Sequence, residues 1–214
     1  MRSNPPNRKA LFDRWSAYYD LSVDEGGFPF IGYREVLYSL VEMADFRDGQ
    51  RVLDLGVGTG NLSKVLPVSR EAIWGADFSS RMIEKASKIL EPSHLIQVDL
   101  LQADWPPAMK GPYERIVSGY TLHEFDASHK RSILVRLAEE YLAPGGAIVI
   151  GDISYKSRAD FEEAHQALHG LWDEEEYYWC AEEMIPLLEA VGFRVVYVQV
   201  SACGGVYLLT TGEI

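Results

Sequence analysis

The stretch Val52-Leu53-Asp54-Leu55-Gly56-Val57-Gly58-Thr59-Gly60-Asn61-Leu62 decides how this chain of 214 residues folds. A short apolar run leads directly into three glycines at alternating positions, and a helical pattern begins behind them at Leu62. Such a loop leaves bare backbone N–H groups at a helix N-terminus, where a ligand can lie against them. Because ligands of open α/β sheets bind beyond the carboxyl ends of the strands, the stretch predicts a parallel sheet with a ligand site.

The spacing of the glycines indicates which classes of ligand the loop can bind. A dinucleotide-binding loop follows the pattern G-x-G-x-x-G, which would put its third glycine at Asn61, whereas this loop has Gly60. No Lys-Ser or Lys-Thr pair follows the loop, so it is not a phosphate-binding P-loop. The spacing therefore disfavours a nicotinamide-dependent reductase.

Two carboxylates accompany the loop. Asp54 lies two residues before Gly56, and Asp77 follows the second strand candidate. A carboxylate in the second position can accept two hydrogen bonds from a ribose diol. The alternative for Asp77 is a helix cap for the segment that begins at Ser79.

Short apolar runs alternate with longer amphipathic stretches along the chain. Strands are predicted at 51–55, 72–76, 94–98, 113–117 and 147–150. Helices are predicted at about 9–20 and 32–46, behind Ser79-Ser80, and from the cap Asp126 to a stop at 144–146. Because the strands are apolar throughout, the pattern predicts a parallel sheet covered on both faces. The last two strands, 193–200 and 206–210, flank a glycine-containing turn, so the final strand is predicted to be antiparallel to its neighbour.

The composition is that of one globular domain with a strongly acidic charge. The 20 basic and 32 acidic residues sum to −12 with histidine neutral. Such a surface repels nucleic-acid phosphates and anionic lipids, so we expect a small-molecule substrate and neither nucleic acid nor membrane as a partner. The 2 cysteines are too few for a disulfide framework, and no signal peptide or 18-residue apolar span is visible. We therefore expect a cytoplasmic protein, as a monomer or a homodimer.

Further motifs follow the glycine loop in a fixed order. They are Gly75–Met82, Val98–Leu100, Ile116–Ser118 and Leu142–Gly146. With them the chain resembles the class I S-adenosylmethionine-dependent methyltransferases over about residues 9–214. The opening Phe12–Asp20 and the pair Gly32-Tyr33 resemble a group of small bacterial members of that family. Val57 departs from the family pattern, in which Cys, Ala or Pro is commoner at the middle of the loop.

The resemblance implies a Rossmann-like α/β fold. This is a three-layer sandwich around a seven-stranded, mostly parallel sheet with an antiparallel last strand, under an N-terminal helical cover. A single methyltransferase domain would span 1–214, with S-adenosylmethionine as cofactor and S-adenosylhomocysteine as product. Within it we expect the helical cover at 1–48, the cofactor-binding core at 49–154, a cap or lid at 155–180, and the final helix and hairpin at 181–214.

The resemblance also implies which residues bind the cofactor. They are Asp54, Gly56, Gly58 and Gly60 for the methionine half, Ser118 for its ammonium group, Asp77 for the ribose, Phe78, Asp99 and Leu100 for the adenine, and Tyr19 and Tyr33 as a cover.

Methyl transfer from a sulfonium mainly requires that donor and acceptor are aligned and that water is excluded. A base is needed only if the acceptor must lose a proton. His123, five residues past Ser118, is the candidate base because imidazole titrates near neutrality. The alternative is a structural histidine packed under the lid. Tyr120 and Asp152 are expected to face the same rim as positioning or loop residues.

Clustered histidines and acids raise the alternative of a metal site. The candidate ligands are His123, Glu124, Asp126 and His129, and the separate pair His165 and His169. We predict no metal, because Asp126 is explained as a helix cap and the second pair lacks a third ligand.

Aromatic residues are concentrated near the predicted lid. They are Phe28, Phe30, Trp172, Tyr177, Tyr178 and Trp179. They could line a substrate mouth or pack the interior of the lid. The predicted function is methyl transfer to a small molecule, and the alternative is a non-catalytic module that senses S-adenosylmethionine or S-adenosylhomocysteine.

Overall fold

A twisted sheet of eight strands lies at the centre of the computed structural model, which describes residues 18–109 and 111–212. The strands are β1 (Val52–Leu55), β2 (Ile73–Asp77), β3 (Leu95–Gln97), β4 (Tyr113–Gly119), β5 (Leu142–Tyr155), β6 (Trp179–Cys180), β7 (Phe193–Gln199) and β8 (Gly204–Thr211). Their order is β3-β2-β1-β4-β5-β8-β7, and the short β6 pairs with β5 beside this path.

The sheet is parallel except at one strand. β1 pairs in parallel with β2 and β4, and β4 pairs in parallel with β5. β8 inserts between β5 and β7 and is antiparallel to both, as the terminal hairpin predicts. The predicted fold class and the antiparallel last strand are confirmed.

Helices cover both faces of this sheet. They are α1 (Tyr19–Glu25), α2 (Tyr33–Ala44), α3 (Asn61–Val65), α4 (Ser80–Ala86), α5 (Ala127–Arg136), α6 (Arg158–Ala167) and α7 (Ala181–Glu189). The predicted caps are present, because the Met82 N–H donates to Ser79 Oγ over 3.2 Å and the His129 N–H donates to Asp126 Oδ1 over 2.9 Å. None of the helices in the described residues is long and apolar enough to cross a bilayer.

Alternate residues of each central strand point to opposite faces of the sheet and pack into two separate apolar cores. Ile148 and Ile150 of β5 point into the core shared with α5 and α7, whereas Val149 points into the core shared with α2 and α4. Close approach of α2 depends on a glycine in β5, since a Cβ at Gly151 would lie 2.8 Å from Val36 Cγ1. The result is three layers, with α2 as the helical cover predicted from the sequence.

Several element boundaries differ from the prediction, among them those of β5, which spans Leu142–Tyr155 instead of 147–150. Of the helix predicted at about 9–20, residues 9–17 lie outside the described part of the chain, and the described helix α1 continues to Glu25. The helix capped by Asp126 ends in a π turn at Tyr141 rather than at 144–146. Residues 144–146 instead form a bulge in β5, because Tyr113 pairs with Leu142 while Arg115 pairs with Ala147.

The predicted lid at 155–180 is anchored to the sheet at both of its ends. It contains α6, and it returns through β6, where Trp179 pairs with Ser154 and Cys180 with Tyr155. Its division from the rest of the domain stays a prediction.

The packing of α2 generates a stability prediction. Leu40 is 0% exposed on the inner face of this helix, whereas Tyr38 is 61% exposed on the outer face. We expect Leu40→Ala to lower the free energy of unfolding by about 2–5 kcal/mol, because it leaves a cavity between helix and sheet. The control Tyr38→Ala should change it by no more than about 0.5 kcal/mol. Urea denaturation measures both, and equal effects of the two substitutions would contradict this packing.

Candidate functional site

A cleft opens at the carboxyl ends of β1, β2 and β4. Its empty space, counted out to its open mouth, is about 850 Å³, within the range of small-molecule sites. Predicted site residues in its lining are Tyr19, Tyr33, Gly56, Gly58, Asp77, Phe78, Asp99 and Leu100. The four others, Asp54, Gly60, Ser118 and His123, lie behind the lining.

The glycine loop forms the floor of the cleft. Gly56 and Gly58 have φ angles of 74° and 53°, a left-handed conformation that strains other residues. A Cβ at Gly56 would collide with Thr121, which lies 2.1 Å away at Oγ1. A Cβ at Gly58 would meet only the Gly56 carbonyl, at 3.9 Å, so the surface above Gly58 is open. Gly60 packs against Ile89, behind the floor.

Asp77 joins the end of β2 to the glycine loop. Its Oδ2 accepts a hydrogen bond from the Gly58 N–H, and its Oδ1 accepts one from the Ser79 N–H, both over 2.9 Å. The cap of α4 is the side chain of Ser79, so the alternative that Asp77 is merely that cap is wrong. Each carboxylate oxygen can accept a second hydrogen bond, and Asp77 lies on the cleft wall where a ligand would donate it.

Asp54 lies directly behind the loop and is 1% exposed. Ser63 Oγ donates a hydrogen bond to its Oδ2 over 2.5 Å, whereas Oδ1 has no partner among the described residues. Burial raises the pKa of Asp54 to about 7, against the lowering effect of the Ser63 hydrogen bond. Ser118 is also buried there, and its Oγ donates to the Leu55 carbonyl. An unpaired buried carboxylate oxygen is costly and marks a place where a donor would be stabilising.

Helix α1 is fastened to the glycine loop by Asp20. Its Oδ1 accepts hydrogen bonds from Thr59 Oγ1 over 2.8 Å and from Asn61 Nδ2 over 2.9 Å. The neighbouring Tyr19 shares a hydrogen bond with Tyr33. These contacts hold one side of the cleft closed in the way predicted for a cover, although binding by the two tyrosines stays a prediction.

Aromatic rings continue this side of the cleft. The ring centroids of Tyr33 and Tyr120 are 4.6 Å apart, and Phe30 packs edge-on against Tyr33. Tyr120 has a positive φ of 52°, a conformation uncommon for residues other than glycine. Its N–H donates to the Gly151 carbonyl over 2.8 Å, which holds this strained turn at the end of β4.

His123 lies beneath the cleft wall. Its Nδ1 is 2.6 Å from Asp152 Oδ1, and its Nε2 is 3.6 Å from Glu124 Oε1 and 3.8 Å from Glu176 Oε1. Burial alone lowers the pKa of His123, but Asp152, Glu176 and Glu124 together raise it to about 9. These acids favour the protonated ring, which does not line the cleft, and the role of His123 as a base stays a prediction.

The groups considered as metal ligands are only partly brought together. Ligand atoms of His123, Glu124 and Glu176 lie within 4.8 Å of one another. Asp126 instead caps α5 and pairs with His129 over 2.9 Å. Within the predicted lid, His165 pairs with Glu174 over 2.9 Å. Among the residues that the structure describes, the set brought together therefore differs from both alternatives considered from the sequence, because it includes Glu176.

Three of the aromatic residues named near the lid, Phe28, Trp172 and Tyr178, pack against one another. Trp172 stacks on Phe28, with centroids 5.8 Å apart, and meets the edge of Tyr178 at 4.6 Å. Trp179 is fully buried, and its Nε1 donates to Asp152. Packing of the lid interior is therefore observed for part of the group, whereas Tyr177 is 47% exposed and Phe30 packs against Tyr33 beside the cleft.

Sequence reasoning missed several residues of the cleft wall. These are Thr59, Asn61, Thr121, Glu124 and Phe125. Thr59 and Asn61 lie within the glycine loop itself. Glu124 follows β4 by a few residues, and this position in the sequence indicates the carboxyl edge of the sheet. Glu124 was considered only as a metal ligand.

Comparisons with known proteins agree with this architecture. The family model "Methyltransferase domain" matches residues 31–198. A protein of Geobacillus kaustophilus described as an uncharacterized methyltransferase is 32% identical over 206 residues, which cover 90% of this chain and 91% of that protein.

Solved structures share the fold at low sequence identity. The DhpI-SAM-HEP complex matches with a TM-score of 0.73 at 17% identity and covers 98% of this chain and 100% of that chain. Magnesium protoporphyrin IX methyltransferase from Synechocystis, solved with bound SAH, matches with a TM-score of 0.66 at 17% identity and covers 96% and 100%.

The buried carboxyl of Asp54 generates a pH prediction. Its folded-state pKa of about 7 is above the ordinary 3.8, so its stabilising contribution is complete below about pH 3.8 and is lost as the pH rises through about 7. We expect Asp54→Asn, which stays neutral, to gain stability relative to the wild type between pH 4.5 and 8, on the order of 1–3 kcal/mol. Urea denaturation across this range measures the difference. A difference that does not change with pH would contradict the raised pKa.

Proposed function

The chain belongs to the class I S-adenosylmethionine-dependent methyltransferases, and we propose that it transfers a methyl group from S-adenosylmethionine to a small-molecule acceptor. The observation that carries the proposal is the cleft at the carboxyl edge, where the open surface of Gly58 and the carboxylate of Asp77 meet. In open α/β sheets this is the place where a nucleotide-like ligand binds.

The polar groups of the cleft fit the cofactor. Asp54 has a buried oxygen with no partner in the described chain and a raised pKa, both of which an ammonium group nearby would correct. Asp77 keeps acceptor capacity toward the cleft for ribose hydroxyls. Phe78, Asp99 and Leu100 also line the cleft, where they would be available to the adenine.

The chemistry of methyl transfer determines what the cofactor and the protein each have to contribute. When bound, the cofactor supplies a methyl group already activated by a sulfonium. The protein then contributes alignment and exclusion of water. The rings of Tyr19, Tyr33 and Tyr120 close one side of the cleft, and Phe125 adds an apolar side chain to its lining. Room for the acceptor is expected beside this wall and Glu124.

A small acceptor is supported by the architecture. The cleft is narrowed by α1 and by the tyrosines, and the net charge of −12 disfavours polyanions such as nucleic acids. A monomer or homodimer, a cytoplasmic location and the base role of His123 stay predictions.

Two measurements test the proposal together. Isothermal titration calorimetry should detect binding of both S-adenosylmethionine and S-adenosylhomocysteine. Incubation with a library of small nucleophiles should release S-adenosylhomocysteine with at least one of them. Equal affinity for both ligands without release across the library would favour the sensing module, and absence of binding would contradict the family-based proposal altogether.

A substitution of Asp77 tests cofactor binding most directly. Asp77→Asn preserves the size of the side chain but removes the charge that strengthens its hydrogen bonds. We expect S-adenosylhomocysteine to bind roughly 10–100-fold more weakly by calorimetry, since hydrogen bonds to charged groups contribute about 1.5–3 kcal/mol. The matched control is Asp48→Asn, at an exposed position away from the cleft, and it should bind as the wild type does. Unchanged affinity in Asp77→Asn would argue against the ribose assignment.

A further inference from the structure

Glu124 is a carboxylate of the cleft wall outside the predicted cofactor contacts. It ends the short helical turn Leu122–Glu124 behind β4 and lines the cleft beside Tyr120 and Phe125. On its other side lies the imidazole of His123, with Nε2 3.6 Å from Glu124 Oε1. Glu124 therefore lies between the cleft and the buried imidazole of His123.

That ring is held in a fixed orientation by Asp152. The buried carboxylate accepts four hydrogen bonds, from His123 Nδ1 at 2.6 Å, the His123 N–H at 3.0 Å, Trp179 Nε1 at 3.1 Å and the Ile153 N–H at 2.8 Å. With Nδ1 fixed on Asp152, Nε2 has to point toward Glu124 and Glu176. Hydrogen bonds from both the backbone N–H and the ring of His123 to Asp152 therefore fix the position and the tilt of the imidazole.

Charged groups surround this ring from every neighbouring element. Asp152 comes from β5, Glu124 from the turn behind β4 and Glu176 from the predicted lid. Lys130 of α5 is buried next to them, with its ammonium 4.9 Å from the centre of the Trp179 ring. Burying so many ionisable groups is costly, and packing alone would be served better by apolar residues. An arrangement that is expensive and over-determined is typical of functional sites.

We propose that Glu124 contacts the methyl acceptor and accepts a hydrogen bond from its N–H or O–H, while His123 and Asp152 are positioning residues that hold this carboxylate in place. This inference rests on the proposed function and names its substrate class. The acceptor is an amine or a hydroxyl compound, neutral or cationic, rather than a carboxylate or a phosphate.

The charge of the cleft supports this class. Ionisable acids in the described lining are Asp77, Asp99 and Glu124, and the lining contains no lysine or arginine among residues 18–109 and 111–212. An anionic acceptor would face like charges in a partly closed site, whereas a protonated amine or a hydroxyl would find an acceptor oxygen.

The bonds of the transfer step balance with Glu124 as the proton acceptor. The lone pair of the nitrogen or oxygen forms the new bond to the methyl carbon, and the electron pair of the broken carbon–sulfur bond stays on sulfur. A neutral amine or hydroxyl passes its proton to the Glu124 carboxylate as this bond forms, whereas a protonated amine, which has no lone pair, gives one proton to Glu124 before it attacks and leaves as the methylated ammonium. Nothing is oxidised or reduced, and no further reactant is needed.

The test uses the full chain saturated with S-adenosylhomocysteine and two probes of matched shape, benzylamine and benzoate. Histidine labelled with 13C at Cε1 reports on His123 by NMR, and titration of its resonance gives the affinity for each probe. We expect benzylamine to shift the His123 resonance and to bind about tenfold or more tightly than benzoate. Glu124→Gln should bring the two affinities to within about twofold, and Glu124→Asp should retain part of the preference.

Controls separate positioning from folding. Glu189→Gln, an exposed substitution at the end of α7, should leave the preference unchanged. Asp152→Asn should lower the pH at which the His123 resonance titrates and weaken the preference, a change that a purely structural role would not cause. If Asp152→Asn fails to fold, the two variants of Glu124 still decide the question.

Several outcomes would overturn the inference. These are equal binding of benzoate and benzylamine, binding of neither probe, or a preference that survives in Glu124→Gln. A preference that EDTA abolishes and Mg²⁺ or Zn²⁺ restores would also overturn it, because His123, Glu124 and Glu176 would then form a metal site. The saturating step keeps the two proposals distinguishable: failure of S-adenosylhomocysteine to bind refutes the proposed function, whereas binding without an amine preference refutes only this inference.

Discussion

The functional site depends on one hydrogen bond, from the backbone N–H of Gly58 to the carboxylate of Asp77. It links the loop after β1 to the tip of β2, and it can form only because a left-handed backbone at Gly56 and Gly58 brings the loop across the ends of the strands. This bond leaves the open face of the loop and an acceptor oxygen on the same cleft wall. The parallel sheet beneath provides the fixed distance between them.

The sequence predicted this part of the molecule well because the information is local. Alternating glycines, apolar strands and the caps Ser79 and Asp126 each act within a few residues, and each was found where expected. The bulge at 144–146 was missed because its position depends on pairing with β4, thirty residues away in the chain. A Pro-Gly-Gly sequence ends a helix and forms a bulge equally well, and only the neighbouring strand decides between them.

The site was predicted less completely than the fold for the same reason. Glycine-loop residues and Asp77 belong to one continuous motif, whereas the surroundings of His123 are assembled from β5, the turn behind β4, α5 and the predicted lid. A histidine near a strand end suggested a base, but the ring is buried, and Asp152 and Glu176 raise its pKa. The acid that faces the cleft is its neighbour Glu124, whose position no local pattern specified.

The central claim is that the glycine loop and Asp77 hold S-adenosylmethionine in the cleft. A crystal structure of the chain with S-adenosylhomocysteine tests it most directly. We expect both ribose hydroxyls within hydrogen-bond distance of the Asp77 carboxylate and the amino-acid tail on the backbone of Gly56 and Gly58. A ligand found elsewhere on the surface, or a ribose turned away from Asp77, would contradict it.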